Sequence, residues 1–256
     1  MKPSIIESDC VLAMSHIESS SIDLVVTSPP YDCLRTYDGH SDWSFTDTAM
    51  HLTRLLKPGG VICWNIGDSV VKGSESLTSC KQKIFFVEQC CLNVHDTMIY
   101  AKSNFGHPEK TRYHQLFEYV FILSKGKPKT FNPIRDKKNK WAGTGTWGRN
   151  SVREANGEMS LRKRNLITEF GMRGNVWHGK TSGQERGTSG SIHPAKMPLW
   201  LANDLIVSWS NEGDTVLDPF GGSGTTGVAA ANLNRTSILI DKHPDYCKLM
   251  RETFSA

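Results

Sequence analysis

The segment Thr27-Ser28-Pro29-Pro30-Tyr31 combines a hydroxyl group, two prolines and an aromatic ring. Two consecutive prolines fix the backbone and remove two N–H donors, which leaves rigid carbonyl acceptors beside the Ser28 hydroxyl. Such a pocket suits an exocyclic amino group, because acceptors for its two hydrogens favour the pyramidal geometry in which the nitrogen lone pair can attack. Tyr31 would stack on the ring that carries the amino group. Taken alone, the segment is also typical of a plain Pro-Pro turn that closes a strand.

A glycine-rich segment near the other end of the chain reads Asp218-Pro219-Phe220-Gly221-Gly222-Ser223-Gly224-Thr225-Thr226-Gly227. Three of its glycines satisfy the pattern G-x-G-x-x-G, which lets the backbone approach a ligand and lets a helix pack closely on a strand. A sharp turn without a ligand has the same pattern, but the glycines, hydroxyls and carboxylate together favour a nucleotide-like ligand. The next predicted strand ends in Asp241, whose carboxylate suits a ribose diol, although a surface acid fits there too.

Alternating strands and helices are predicted to position these two segments. Ile22 to Thr27 is a short apolar run typical of a buried parallel strand, and the two prolines that follow end it. Apolar residues at helical spacing then predict a helix from Phe45 to Leu56, which Lys57-Pro58-Gly59-Gly60 ends before a strand from Val61 to Ile66. The remaining predicted elements are a helix Gln82–Val94, strands Thr97–Tyr100 and Phe117–Leu123, a helix Leu199–Trp209, a strand Thr215–Asp218, a helix through Ala229, Ala230 and Leu233, a strand Ser237–Ile240 and a final helix. This order predicts an α/β fold with an open, mostly parallel sheet and helices on both faces, in which ligands bind beyond the carboxyl ends of the strands.

The composition excludes several classes of protein. With 256 residues, of which 38% are hydrophobic and 22% charged, the chain is an ordinary globular protein rather than a disordered one. The first residues lack the apolar run of a signal peptide, and no segment approaches the ~18 to 20 apolar residues of a membrane span. Seven cysteines without a Cys-x-x-Cys pair favour neither a disulfide framework nor a zinc site. We therefore expect a soluble cytoplasmic protein with no structural metal and no membrane partner.

Positive charge is concentrated in one part of the chain. Residues 125–190 hold 15 Lys plus Arg against 5 Asp plus Glu, a local balance of +10 in a chain whose net charge is +4. The same segment contains 11 of the 22 glycines and three of the seven tryptophans, Trp141, Trp147 and Trp177. Basic, aromatic and glycine-rich loops suit a phosphate backbone and exposed bases, and a solvated flexible insertion has the same composition.

Together, these segments resemble the amino-group DNA methyltransferases that use S-adenosylmethionine. Ser28 to Tyr31 is similar to their catalytic tetrapeptide, and Asp218 to Thr226 is similar to their cofactor loop. The order of catalytic segment, variable region and cofactor segment is that of the family's beta group. Other matching stretches are Ser8-Asp9-Cys10, Leu55-Leu56-Lys57-Pro58-Gly59-Gly60, Trp64-Asn65-Ile66-Gly67-Asp68, Phe117-Glu118-Tyr119 and His193-Pro194-Ala195-Lys196-Met197-Pro198.

The resemblance implies a Rossmann-like methyltransferase fold that is circularly permuted. Residues 1–124 would form the catalytic half, residues 125–190 a basic target-recognition insertion, and residues 191–256 the cofactor-binding half. Ser28 and the carbonyl of Pro29 would bind the target amino group, with Pro30 keeping the turn rigid and Tyr31 stacking on the base. The residues implied in binding S-adenosylmethionine are Asp9 and Cys10 at the adenine edge, Asp241 at the ribose, and Asp218, Phe220, Gly222, Ser223, Gly224, Thr225, Thr226 and Lys196 around the methionine part.

The partner implied by the resemblance is double-stranded DNA, with the target base swung out of the duplex before direct in-line methyl transfer. We expect phosphate contacts from basic residues of the insertion, namely Arg135, Lys137, Lys138, Lys140, Arg162, Lys163 and Arg164. The sequence leaves open the recognised site, the formation of a homodimer and the presence of a cognate restriction endonuclease of a restriction-modification system.

In relatives of this kind, Ser before Pro-Pro-Tyr is usual for N4 of cytosine, whereas Asp is usual for N6 of adenine. We therefore expect a cytosine-N4 methyltransferase, with an adenine-N6 enzyme as the alternative. The chain contains no Pro-Cys dipeptide, which speaks against cytosine-C5 chemistry. A nicotinamide-dependent oxidoreductase would use the glycine loop but would leave Ser28 and the basic insertion without a role. A catalytically inactive DNA-binding protein would not need an intact cofactor loop.

Overall fold

The computed structural model describes residues 2–30, 43–104, 110–145, 151–161, 165–181 and 196–255. The helices are α1 Cys10–Ser15, α2 Phe45–Leu55, α3 Thr78–Glu88, α4 Leu199–Trp209, α5 Thr225–Asn232 and α6 Pro244–Thr253. The strands are β1 Ser4–Glu7, β2 Ile22–Thr27, β3 Leu56–Ile66, β4 Val70–Val71, β5 Ser74–Glu75, β6 Asn93–Lys102, β7 Phe117–Ser124, β8 Lys137–Lys138, β9 Ser151–Arg153, β10 Met159–Leu161, β11 Phe170–Gly171, β12 Val176–Gly179, β13 Thr215–Asp218 and β14 Thr236–Asp241. They form two compact units, a larger one of Met1–Asn132 with Asn175–Ala256 and a smaller one of Pro133–Gly174.

The larger unit contains an eight-stranded sheet in the order β1-β14-β13-β2-β3-β7-β6-β12. Strand β7 runs antiparallel to both of its neighbours, β3 and β6, whereas the other neighbouring pairs are parallel. Consecutive residues of β3 point to opposite faces of the sheet, and both faces are buried. Trp64 packs among residues of α2 and α3, and its neighbour Cys63 is also buried. These observations confirm the predicted open, mostly parallel sheet with both faces covered.

The direction of the chain connections reverses between β2 and β13. From β2 the chain continues through α2 to β3 on one side, and from β13 it continues through α5 to β14 on the other side. Strands β2 and β13 pair in parallel through Leu24 with Val216 and Val25 with Leu217. Because a crevice opens beyond the carboxyl ends of strands at such a reversal, this is where a ligand is expected.

Aromatic side chains form much of the core on the face that α2 and α3 cover. The Trp64 ring lies 5.3 Å from that of Phe86 and 6.1 Å from that of Phe45, both in edge-to-face geometry. The buried Trp64 Nε1 donates to Gln82 Oε1 at 2.8 Å, which satisfies its hydrogen bond inside the core. The cluster therefore fixes β3 and the helices that follow β2.

Several predicted boundaries coincide with those observed, and others differ. The predicted strands Ile22–Thr27 and Thr215–Asp218 and the helix Leu199–Trp209 are confirmed residue for residue. The helix predicted over Gln82–Val94 instead spans Thr78–Glu88, and Val94 belongs to β6. Strand β3 begins at Leu56 rather than Val61, because Leu56 pairs with Ile22 across a local irregularity of the ladder.

The smaller unit consists of short ribbons and loops. Strand β8 pairs antiparallel with β11, and β9 pairs antiparallel with β10. Residues 125–132 and 175–181 of the predicted insertion belong to the larger unit, since Asn132 Nδ2 donates to the carbonyls of Val207 and Ser210 and β12 pairs in parallel with β6. Among the helices of the described residues, none has the length and apolar character needed to cross a bilayer.

Candidate active site

The buried carboxylate of Asp218 joins the two segments that were singled out in the sequence. Its Oδ1 accepts from Thr27 Oγ1 at 2.7 Å and from the Phe220 N–H at 3.1 Å, and its Oδ2 accepts from Thr226 Oγ1 at 2.7 Å. One side chain thus holds the end of β2, the glycine-rich loop and the first turn of α5. The two segments lie side by side although about 190 residues separate Thr27 from Asp218.

Burial raises the pKa of Asp218 from 3.8 to about 6. Desolvation is the main cause, because it disfavours the charged form. The hydrogen bonds from Thr226, Thr27 and the Phe220 N–H act in the opposite direction, and the charge of Asp241 adds to the increase. With only 5% of its surface exposed, Asp218 positions other groups through these bonds.

Asp241 fixes the glycine-rich loop from the neighbouring strand. Its Oδ2 accepts from the Gly222 N–H at 2.8 Å, and its Oδ1 accepts from the His243 N–H at 2.8 Å. Burial raises the pKa of this carboxyl, while the two N–H bonds lower it. Each carboxylate oxygen has a second lone pair, so these bonds leave acceptor capacity for hydroxyls of a ligand.

Two glycines of the loop are required by their surroundings. Gly224 caps α5 with a left-handed φ of 80°, a conformation that residues with a side chain rarely adopt. A Cβ at Gly227 would lie 2.6 Å from Leu239 Cδ1 and 3.0 Å from Phe254 Cζ, so any side chain there would force these two neighbours to shift. The loop residue Phe220 packs edge-to-face on Trp43 with ring centroids 4.9 Å apart, and the hydroxyls of Ser223 and Thr225 lie 3.1 Å apart.

Ser28, Pro29 and Pro30 continue from β2 beyond the crevice. Thr27 is paired with Trp64 of β3, so Ser28 leaves the sheet next to the end of that strand. Pro29 is buried and Ser28 is half-buried. Tyr31 lies outside the described residues.

Asp9 and Cys10 lie on the same edge of the sheet. Strand β1 pairs with β14 so that Glu7 is opposite Asp241, and the Ser8 N–H donates to the Asp241 carbonyl at 3.0 Å. The Asp9 carboxylate caps α1 by accepting from the N–H groups of Val11 and Leu12 at 2.9 and 3.1 Å. The Cys10 thiol is buried 3.5 Å from Thr48 Oγ1, and burial raises its pKa. The half-buried Lys196 precedes α4, the helix that packs on α5.

The basic residues assigned to DNA divide into two groups. Arg135, Lys137, Lys138 and Lys140 are exposed in the smaller unit, where Lys140 Nζ lies 5.4 Å from the ring centroid of the exposed Trp141. Arg173 forms an ion pair with Asp136, lowering the pKa of that carboxyl through a hydrogen bond. Arg162, Lys163 and Arg164 lie outside the described residues.

Sequence reasoning missed a polar network that joins β3, β6 and β7. Asn65 Nδ2 donates to Glu118 Oε2 at 3.0 Å and to the Tyr119 carbonyl at 3.2 Å, and Glu118 also pairs with Lys102 at 2.5 Å. Asn65 and Glu118 were part of the matching stretches. Their contact depends on the antiparallel pairing of β3 with β7, which no local pattern indicates.

Comparison with known proteins identifies the family. A family model for DNA methylases (N6_N4_Mtase) matches residues 22–252. The orphan methyltransferase M.BamHII of Bacillus amyloliquefaciens is 47% identical over 241 residues, which are 93% of this chain and 90% of that protein. The PvuII DNA methyltransferase (cytosine-N4-specific) superposes with a TM-score of 0.70 at 19% identity, covering 98% of this chain and 86% of its own. M1.HpyAVI in complex with SAM superposes with a TM-score of 0.61 at 22% identity, covering 98% of both chains. The fold is thus the Rossmann-like fold of these methyltransferases, and the chain belongs to the N6/N4 DNA methylase family.

Proposed function

We propose that this enzyme transfers a methyl group from S-adenosylmethionine to the N4 amino group of cytosine in DNA. The observation that carries the proposal is the position of Ser28-Pro29-Pro30, directly beyond β2 and beside the glycine-rich loop that follows β13. A hydroxyl and a rigid carbonyl there are suited to accept the two hydrogens of an amino group. The family itself includes N6 and N4 enzymes, so the choice of cytosine rests on Ser28 occupying the position where adenine-specific relatives usually have Asp.

The residues around the crevice fit S-adenosylmethionine. Asp241 at the end of β14 retains lone pairs for the ribose diol, and Asp9 and Cys10, at the start of α1 just after the adjoining strand β1, would serve the adenine edge. Phe220 and the residues from Gly222 to Thr226 would enclose the methionine part, with Lys196 for its carboxylate. Asp218 would act on the cofactor through the loop that it holds, because its oxygens are engaged by Thr27, Thr226 and Phe220.

The bound cofactor would supply an electrophilic methyl group on a sulfonium. Ser28 and the Pro29 carbonyl would orient the cytosine amino group, whose nitrogen attacks the methyl carbon in line while the bond from carbon to sulfur breaks. The nitrogen would then release one proton towards solvent past the half-buried Ser28. Positioning and acceptor electrostatics account for this step without a covalent enzyme intermediate.

DNA would reach the crevice with its target base swung out of the helix, at a cost of a few kcal/mol. The exposed cations of the smaller unit, such as Lys137 and Lys138, would offset that cost through phosphate contacts. Residues 125–190 would thus provide most of the target recognition.

The test is nucleoside mass spectrometry of DNA incubated with the protein and isotope-labelled S-adenosylmethionine. Labelled N4-methylcytosine is the expected product, and N6-methyladenine alone would replace this proposal with its alternative. Ser28→Ala should lower kcat by about 10²-fold or more while leaving the affinity for S-adenosylmethionine nearly unchanged. Ser21→Ala is the control, since this half-buried residue precedes β2 at the end away from Ser28 and its hydroxyl donates to the Glu18 carbonyl; it should retain the wild-type rate.

A further inference from the structure

A small hairpin projects from the catalytic edge of the sheet. Strands β4 and β5 follow β3 directly, with Val70 opposite Glu75 and Val71 opposite Ser74. The tip residues Lys72 and Gly73 have φ of 50° and 83°, the left-handed pair of a tight hairpin turn. Val70 and Val71 are 41% and 51% exposed although they point to opposite faces of the ribbon. The hairpin therefore extends into solvent at the edge where the neighbouring strand β2 ends at Thr27, just before Ser28.

Buried hydrogen bonds hold the base of this hairpin in place. The Asp68 carboxylate, 7% exposed, accepts from the Ser79 N–H at 2.9 Å and from the Ser79 hydroxyl at 2.5 Å. The Ser76 N–H donates to the Ser69 carbonyl at 2.9 Å, which closes the ribbon. An isolated two-stranded hairpin is marginally stable in water, so these contacts are what make it a fixed projection. A pre-organised projection binds a partner with a smaller loss of conformational entropy.

A second segment lies against the hairpin and adds positive charge and an aromatic ring. Arg112 Nη2 donates to the Gly73 carbonyl at 2.7 Å, and Gln115 Nε2 donates to the Asp68 carbonyl at 3.4 Å. Next to Arg112, the Tyr113 side chain is 98% exposed. Residues 70–75 and 110–113, which we name the edge surface, contain the cations Lys72, Lys110 and Arg112 against the single carboxylate Glu75.

The cations and the exposed aromatic ring of the edge surface are suited to bind DNA in which one base has left its stack. Cations attract phosphates, and an exposed aromatic ring offers a stacking platform for a base that has lost its partner. Resting on the proposed function, we infer that the edge surface is a second DNA-contacting surface within the larger unit. Lys72 and Lys110 contact phosphates beside the target, and Tyr113 stacks on an exposed base.

Salt-dependent DNA binding tests this inference. The variants are Lys72→Ala/Lys110→Ala and Tyr113→Ala, all at exposed positions, and the control is Lys2→Ala, an exposed lysine that precedes β1 at the opposite edge of the sheet. The double variant should reduce the slope of log affinity against log salt by about 2, because each phosphate contact contributes about 0.9. Tyr113→Ala should weaken binding to the methylatable duplex about tenfold with little change in slope. Lys2→Ala should match the wild type, and all variants should keep their affinity for S-adenosylmethionine.

The outcomes separate the two proposals. If the wild type methylates DNA but both edge-surface variants keep the wild-type affinity and slope, the inference is wrong and the proposed function stands. If the wild type neither binds nor methylates DNA, both proposals are wrong. Light scattering provides a further check, since variants that convert a dimer into a monomer would show that this surface contacts a second copy of the chain.

Discussion

Replacing Thr226 by valine removes a hydrogen bond from the carboxylate that links the two halves of the site. Among the described residues, Asp218 Oδ2 accepts from Thr226 Oγ1, whereas Oδ1 accepts from both Thr27 and the Phe220 N–H. A hydrogen bond to a charged group contributes about 1.5 to 3 kcal/mol, and a buried oxygen that loses its donor adds the cost of its desolvation. We therefore expect Thr226→Val to lower the free energy of unfolding by about 2 to 3 kcal/mol, and Thr27→Val to lower it less.

Function should change along with stability, because the same carboxylate positions the glycine-rich loop to which we assign cofactor binding. Thr226→Val should weaken the affinity for S-adenosylmethionine, measured by calorimetry, since Phe220 and the first turn of α5 are then less firmly held. Urea unfolding of both single variants and of the double variant gives the coupling through the shared carboxylate, expected at about 0.5 to 3 kcal/mol.

Thr53→Val is the matched control. The Thr53 hydroxyl donates to the Ala49 carbonyl of its own helix at 2.8 Å, so this substitution removes a hydroxyl without touching the site. If Thr226→Val costs no more than Thr53→Val and leaves cofactor affinity unchanged, Asp218 does not hold the loop in the manner described.

Three further outcomes follow from the same geometry. Because the pKa of Asp218 is raised from 3.8 to about 6, folding favours its protonated form, and its contribution to stability is present below pH 4 and is lost as the pH rises through 6. The free energy of unfolding of the wild type relative to Asp218→Asn, measured by urea unfolding, should therefore fall from pH 4.5 to 6.5. A rise over this range would contradict the raised pKa. Asp241→Ala should weaken S-adenosylmethionine binding at least tenfold, since it removes both the proposed ribose acceptor and the bond to the Gly222 N–H; calorimetry showing unchanged affinity would exclude Asp241 from the cofactor site. Gly227→Ala should lower the melting temperature, because overpacking against Leu239 Cδ1, 2.6 Å from the new Cβ, costs about 1 to 3 kcal/mol, whereas Gly174→Ala, with open space around its Cβ, should change it little.

The meeting of the two segments could be predicted from the sequence, because each follows an apolar run of parallel-strand type. The bounds of α3 could not. Its start depends on the Asp68 carboxylate, which caps the Ser79 N–H from eleven positions upstream. The end of α3 lacks the glycine that usually marks such a terminus. Cys91 instead adopts the left-handed conformation, with a φ of 54°, and the Leu92 N–H donates to the Phe86 carbonyl at 3.0 Å.

Strand β12 could not be predicted from the sequence, for a different reason. Four residues, Val176–Gly179, inside a basic and glycine-rich stretch show no periodicity, and only their pairing with β6 makes them a strand. The bonds that Asp218 accepts from Thr27 and Thr226 were equally hidden, because local patterns carry no information on side chains that meet across distant strands. What the sequence did indicate is the type of chemistry, since hydroxyl, proline and glycine each restrict what a strand end can do.

The strand order has a consequence for synthesis on the ribosome. Strand β2 is complete after Thr27, but its neighbour β13 emerges only with Thr215–Asp218, near the carboxyl terminus. Until then one edge of β2, with Leu24, Val25 and Val26, has no strand to pair with, and such an apolar edge is prone to intermolecular pairing. Contacts of such long sequence separation also slow folding. A chain truncated before residue 215 would keep this edge of β2 unpaired, so we expect it to aggregate.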